Sequence, residues 1–357
     1  MPGLRVIQRI TAAQAIARLA SFGDIVDVRS PGEFSEDRLP GALNWPVLDD
    51  EERRLIGTEY KQVSPFEARK RGAALVAQNI AAHIARDVMD KPKSWQPLVY
   101  CWRGGQRSGS MGWFLDQMGF RTHVIEGGYQ AFRHAVMEAL QTLPPTLRFT
   151  IICGRTGSGK TRLLQALREA GAQVLDLEAL ACHRGSVLGS VPGKAQPGQK
   201  AFETLLWDAL RAFDPARAVF VESESKRIGK LRVPEGLVGR MRLHGDCVHL
   251  QMPDAGRLAL LLEDYAFLAQ DAALFGGLLD GLVSFRGKAV VERWKAQASS
   301  GQAAQVFLEL MQQHYDPGYL KSMRAQFAGF EGARVVEAVD GGADEMRRVA
   351  LQLMQAR

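Results

Sequence analysis

The stretch Leu147-Arg-Phe-Thr-Ile-Ile-Cys153-Gly154-Arg-Thr-Gly157-Ser158-Gly159-Lys160-Thr161-Arg-Leu163-Leu164 decides the fold of the middle of the chain. Its opening is a short apolar run of strand type. Its close places Leu163, Leu164 and Leu167 on one helical face. Between them lies G-x4-G-K-T without a mismatch. In a strand–loop–helix unit of this kind, the glycines let backbone N–H groups wrap a phosphate, Lys160 reaches terminal phosphate oxygens, and the Thr161 hydroxyl can hold Mg²⁺. Gly154, Gly157, Ser158, Gly159, Lys160 and Thr161 are therefore expected to bind a phosphate or diphosphate. A companion strand with an acidic end is expected nearby, and Ala218-Val-Phe-Val-Glu222-Ser-Glu224 supplies one. Glu222 or Glu224 would hold Mg²⁺ through water or orient that water. Pairing with Lys226 and Arg227 is the competing expectation. The loop alone does not name the nucleotide, or even require one.

Outward from this unit, strand-like runs recur at Asp24–Val28, Pro97–Cys101 and Thr122–Glu126, with a helical pattern from Ala73 to Met89. Such alternation predicts a parallel sheet covered on both faces. Leu143-Pro144-Pro145 reads as a linker. Past Pro253 strands nearly stop, and Leu258–Leu282 and Ala303–His314 are apolar at helical spacing. The expected architecture is α/β: a parallel-sheet domain over 1–143, a phosphate-loop α/β domain over 144–252, and a helical region over 253–357 packed on it.

The chain has 357 residues, a net charge of +6, and no run approaching the 18 apolar residues of a membrane span. No apolar leader is evident at the N-terminus. Cys101, Cys153, Cys182 and Cys247 form no C-x-x-C pair, which argues against structural zinc and a disulfide framework and suits a reducing cytoplasm. The charge excess sits in residues 142–248. Its densest run is Lys226, Arg227, Lys230, Arg232, Arg240 and Arg242, with one Glu235 among them. These six cations suit a polyanion, either nucleic acid or a phosphorylated small molecule; a solvated basic face fits equally well.

A second chemical centre is Val99-Tyr-Cys101-Trp-Arg103-Gly104-Gly105-Gln-Arg107-Ser108, a cysteine at a strand end followed by a helix with Met111, Phe114, Leu115 and Met118 on one face. Ligands of open α/β sheets bind beyond the carboxyl ends of strands. Gly104 and Gly105 allow an inward-facing nest of amides, the helix adds its positive N-terminus, and Arg103 and Arg107 add charge. This setting favours a nucleophilic thiolate on Cys101.

Around that loop, Asp27-Val-Arg29-Ser-Pro-Gly-Glu33-Phe34, Leu39-Pro-Gly41-Ala-Leu-Asn44-Trp-Pro46 and Gly119–Phe132 resemble the motifs of the rhodanese domain. The resemblance implies a sulfur or selenium carrier role for Cys101 and a structural role for Asp27, Arg29 and Glu33. Two departures stand out. The Cys-x5-Arg loop is one residue longer than that of sulfurtransferases and is similar to phosphatase loops, and a charged insertion runs from about Asp49 to Trp95.

Joined to G-x-T-G-S-G-K-T, with Asp176-Leu-Glu178, His183-Arg184-Gly185-Ser186, Gln196-Pro197, Glu222–Gly229 and His314-Tyr315-Asp316-Pro317, the chain resembles the tRNA 2-selenouridine synthase family. The resemblance implies an enzyme acting on wobble 2-thiouridine of tRNA. It would geranylate the sulfur from geranyl diphosphate, then replace it with selenium from selenophosphate through a Cys101 perselenide. Arg107 and Arg103 would stabilise departing phosphate over Gly104 and Gly105. The Lys160 loop would hold the diphosphate, with Mg²⁺ on Thr161, or else a nucleotide used in tRNA handling. The basic run would contact tRNA. No permanent cofactor, membrane or DNA is implied, and the expected location is cytoplasmic. A Cys-dependent phosphatase or sulfurtransferase with an accessory phosphate-loop NTPase is the alternative.

Overall fold

The computed structural model describes residues 7–185, 189 and 193–355. Its strands are β1 (Gln8–Ile10), β2 (Asp24–Asp27), β3 (Ala42–Asn44), β4 (Pro97–Tyr100), β5 (His123–Ile125), β6 (Arg148–Cys153), β7 (Gln173–Leu175), β8 (Ala218–Glu222), β9 (Arg227–Ile228), β10 (Leu231–Arg232), β11 (Asp246–Gln251) and β12 (Arg334–Glu337). They build two five-stranded parallel sheets, in the orders β1-β5-β4-β2-β3 and β12-β11-β6-β8-β7, and a small antiparallel β9–β10 hairpin. The chain divides into two units, Met1–Ala139 with Gly198–Asp208, and Leu140–Pro197 with Ala209–Arg357.

In the first unit every residue of β4 is buried, as the continuous apolar run Pro97–Tyr100 requires of a central strand covered on both faces. β2 is tied down by the buried Asp27–Arg29 ion pair at 2.6 Å, whose guanidinium also donates to Asp37 O and lies 4.0 Å from the Tyr129 ring centre. The charged insertion folds as two helices, Asp50–Gln62 and Pro65–His83. The first opens with an Asp49/Glu52 capping box and the second with a Ser64 cap followed by Pro65. The helical pattern expected from Ala73 thus begins a full two turns earlier, because the cap and not the apolar periodicity sets its start.

In the second unit β6 is buried from Phe149 to Cys153. The helix Lys160–Glu169 packs Leu163, Leu164 and Leu167 against Met346, Val349 and Leu353 of the helix Ala343–Gln355. The end of the chain therefore departs from the helical region expected through 357. β12 pairs in parallel with β11, and the last helix completes the sheet's core. β12 was illegible because only one of its four residues, Val336, is buried, as befits an edge strand. The helices between Asp254 and Gln326 enclose a separate core around Phe275, Trp294 and Phe307. No helix among the described residues is long and apolar enough to cross a membrane.

Candidate functional sites: a cysteine loop and a phosphate loop

Cys101 follows β4 directly and is 3% exposed. Its sulfur accepts a hydrogen bond from the buried Ser108 hydroxyl at 3.2 Å. The loop is pinned from below: the amides of Tyr129 and Gln130 donate to Cys101 O and Trp102 O at 2.8 and 3.1 Å. Gly104 has φ +65°, and a Cβ there would lie 2.4 Å from Ile125 O, so only glycine fits. Gly105 leads into the helix Gln106–Gln117, whose first amides have no intrahelical acceptor. Oxygen-rich leaving groups are well matched to that end.

The two arginines of the loop have separate partners. Arg103 is exposed and donates to Gln130 Oε1 at 3.1 Å. Arg107 is held by Glu33 at 2.8 Å, and Glu33 also pairs with Arg53 of the insertion. Against the upward push of burial, Arg107 and Arg53 hold the Glu33 carboxyl below its usual range. Glu33 is thus the orienting group for Arg107; the sequence marked it as structural without naming this partner.

In the second unit the loop after β6 takes the phosphate-gripping form. Gly157 and Gly159 have φ +80° and +81°, and Gly159 caps the helix Lys160–Glu169. Gly154 is the exception among the expected ligands. Its amide is already taken by the Tyr319 hydroxyl at 2.5 Å, and a Cβ there would meet Ser158 Oγ at 2.4 Å. Its role is to let the loop close on itself. Lys160 Nζ bridges back to Gly154 O at 2.7 Å, and Ser158 Oγ is buried with no hydrogen-bond partner. Arg257, wholly buried, donates to Thr156 O and to both carboxylate oxygens of Asp316, at 2.6 and 2.8 Å. Arg155 reaches the same Asp316 at 3.0 Å. Two residues remote in sequence therefore brace the loop. Asp316 belonged to a quoted stretch, and Arg257 carried no signal.

A cavity of about 660 Å³ opens over this loop. One wall is polar: Lys160, Thr161, Glu178, Glu222 and Glu224. The other is apolar: Leu260, Leu261, Tyr265 and Met323. Glu222 is 2% exposed; one oxygen accepts from the Glu178 amide at 2.8 Å and the other has no partner. Burial first, then crowding by Asp176, Glu178 and Glu224, pushes its carboxyl well up. Burial and the Glu224 charge raise Glu178 to about 7, and burial raises Glu224. Glu178 accepts from the Thr161 hydroxyl at 3.1 Å. This hard-oxygen set suits Mg²⁺, although among the described residues no three His, Cys, Asp or Glu stand ready as a metal cluster. The sequence singled out Glu222 and Glu224 as metal-side carboxylates and placed Glu178 only within a family-like stretch, with no role; it stands on the short helix Leu177–Ala181 after β7.

The basic run divides. Lys226, Arg227, Lys230 and Arg232 are exposed on and beside the β9–β10 hairpin, which turns through Gly229 at φ +57°. Arg240 and Arg242 are half-buried. Arg240 donates twice to Leu147 O, at 3.0 and 3.2 Å, and Arg242 lies 5.8 Å from the Phe327 ring centre with its Nε buried. These two belong to the packing of the second unit, a departure from the expected polyanion surface. His183, Arg184 and Gly185 follow Glu178 closely, whereas Ser186 lies outside the described residues.

Fold and sites together define a protein that joins a rhodanese-like domain, with its loop cysteine, to a phosphate-loop α/β domain. The rhodanese-like domain profile matches residues 11–135, and that of the tRNA 2-selenouridine synthase AAA domain matches residues 147–289. The tRNA 2-selenouridine synthase of Nitrosomonas europaea is 36% identical over 68% of this chain and 63% of its own length. That of Shewanella denitrificans is 38% identical over 68% and 65%. That of Psychromonas ingrahamii is 30% identical over 85% of this chain and 90% of its own. The chain belongs to the tRNA 2-selenouridine synthase family. The match spans just under two thirds of the first two relatives and nearly all of the third.

Proposed function

We propose that this protein is a cytoplasmic tRNA-modifying transferase that converts wobble 2-thiouridine to 2-selenouridine in two steps, S-geranylation from geranyl diphosphate and then selenium transfer from selenophosphate. The observation that carries the reading is Cys101 itself: a sulfur at a strand end, hydrogen-bonded by Ser108, beside a left-handed Gly104 and a helix N-terminus.

In the selenium step, the amides at Gly104 and Gly105 and the Glu33-oriented Arg107 receive the phosphoryl group. The electron count constrains how Cys101 is loaded. Direct attack of a thiolate on selenium would leave the bonding pair on phosphorus and release phosphite. Release of phosphate requires Cys101, a free thiol in this structure, to enter as a mixed disulfide with a small-molecule thiol, and that disulfide is the two-electron oxidant of the step. The selenium of selenophosphate then attacks Cys101 Sγ and displaces the other thiol. Water cleaves the Se–P bond, leaving phosphate and a Cys101 perselenide.

In the geranyl step, the amides of 157–159 and Lys160 take the diphosphate, and Leu260, Leu261 and Tyr265 offer the isoprenoid chain an apolar wall. Mg²⁺ held by Thr161 and Glu178 would add Lewis-acid assistance to departure of the diphosphate. Lys226, Arg227, Lys230 and Arg232 are the tRNA phosphate contacts. The test is mass spectrometry of wobble nucleosides from cells lacking the protein. Loss of 2-selenouridine with 2-thiouridine retained is expected, and 2-selenouridine persisting at normal levels would overturn the assignment.

A further inference from the structure

We propose that the insertion helices Asp50–Gln62 and Pro65–His83 exist to build a binding site for a single RNA nucleotide beside the Cys101 loop, with its base against Tyr60 and Trp113 and its phosphates on Arg9 and Arg69. The site rests on the reading that the chain acts on RNA; its place in the fold does not. A cavity of about 1290 Å³ lies between these helices and the cysteine loop. The loop side presents Gly104, Gly105 and Arg107, and the insertion side presents Ile56, Tyr60, Arg69 and Val76. A drug-sized ligand is held in about 300–1,000 Å³, so a selenophosphate of five heavy atoms would leave most of the space unused.

The chemistry of the lining selects the occupant. Among the described residues, its charged side chains are all cationic, Arg9, Arg69 and Arg107, with no carboxylate. Glu33 already holds Arg107, whereas Arg9 and Arg69 donate only long bonds, to Gly104 O and to the Tyr60 hydroxyl at 3.4 Å each, and have no carboxylate partner among the described residues, so these two remain for an anion beyond the loop. Arg9 sits at the loop, 3.4 Å from Gly104 O, and Arg69 lies 5.7 Å from the Tyr60 ring centre. Two large aromatic rings face the cavity while well exposed, Trp113 at 51% and Tyr60 at 45%. Rings with cations among them, over a groove whose floor is bare backbone, are the means by which single-stranded RNA is gripped: bases stack, and phosphates pair. A Cβ on Gly105 or Gly109 would meet nothing within 4 Å, so the nucleotide can approach the loop backbone closely. A duplex would not enter, and an isolated phosphate would not need the rings.

The test uses the full chain and an anticodon-type RNA hairpin bearing photoreactive 4-thiouridine at the wobble position. Irradiation should cross-link peptides from 50–83 or 106–117. Tyr60→Ala with Trp113→Ala should weaken hairpin binding about tenfold or more, while Tyr60→Phe with Trp113→Phe restores it. Ala73→Trp, at an exposed helix position lining the cavity, should block binding with the melting temperature preserved. Cross-links confined to other peptides, together with undiminished affinity of the double alanine variant, would overturn the site. Loss of binding in the variants alongside a wild-type Cys101 that never gains selenium would support the site while overturning the selenium reading.

Discussion

Glu178 shows how a single carboxylate ties the phosphate loop to pH. Burial and the neighbouring Glu224 raise it from 4.5 to about 7, and Glu222 and Glu224 are raised in the same direction. The folded protein therefore binds more protons than the unfolded chain between about pH 4.5 and 7, and stability falls as pH rises through that window. The contribution of Glu178 is on the order of 1–2 kcal/mol after allowing for solvent access to the cavity. Denaturant midpoints of the unliganded protein should fall from pH 5 toward pH 7.5, and Glu178→Gln should flatten the fall. An identical slope in the variant would remove Glu178 as its source. A cation delivered with a diphosphate should reverse the penalty, because opposite charge favours the ionised carboxylate. Little of this was legible in the sequence. Glu222 and Glu224 announced themselves by ending an apolar strand. Glu178 sits on a different element, and nothing in spacing alone says that β7 lies beside β8.

At the scale of elements, the phosphate loop is held by a helix far along the chain. Arg257 on the helix Asp254–Asp264 is wholly buried, and its guanidinium is divided among Thr156 O, Asp254 and Asp316. Removing Asp316 would leave the buried guanidinium only Thr156 O and the more exposed Asp254 as partners. Asp316→Ala should therefore cost about 3–5 kcal/mol in urea unfolding and weaken pyrophosphate binding by calorimetry. Unaltered affinity in the folded variant would show that the brace is structural only. The β9–β10 hairpin makes a contrasting case. Reversing the charge of Arg227, Lys230 and Arg232 should leave folding intact and lower the slope of log affinity for tRNA against log salt by about 2–3. An unchanged slope would return the hairpin to an ordinary solvated surface. The loops were legible because each carries glycines that only a special backbone needs. The braces were not, since Arg257 in a helical run looks like any solvated arginine until the fold buries it. Arg240 and Arg242 misled for the same reason in reverse, being counted as surface charge though one caps Leu147 O and the other packs near Phe327.

On the scale of the whole molecule, one chain carries two candidate sites, each assembled from residues of its own unit: Cys101 with Ser108, Arg107 and Glu33 in the first, Lys160 with Thr161, Glu178 and Glu222 in the second. Two parallel sheets were foreseeable from alternating strands and helices. What could not be foreseen was that the last strand and helix return to the second sheet, because β12 is a lightly buried edge and pairing across some 80 residues leaves no local trace. On the proposed two-step reading, damage to one site should leave the other's chemistry intact, and the order of the two steps makes the consequence asymmetric. Cys101→Ser should stop selenium uptake yet leave geranyl transfer, so S-geranyl-2-thiouridine accumulates in tRNA. Lys160→Ala removes the charge proposed to meet the diphosphate, should cut geranyl transfer by about a hundredfold, and should leave 2-thiouridine unmodified with selenium incorporation lost as well. Nucleoside mass spectrometry of tRNA incubated with each purified variant reads both outcomes at once. If Cys101→Ser also abolished geranylation, the sulfur would have to serve both reactions, and the assignment of one chemistry to each unit would fail.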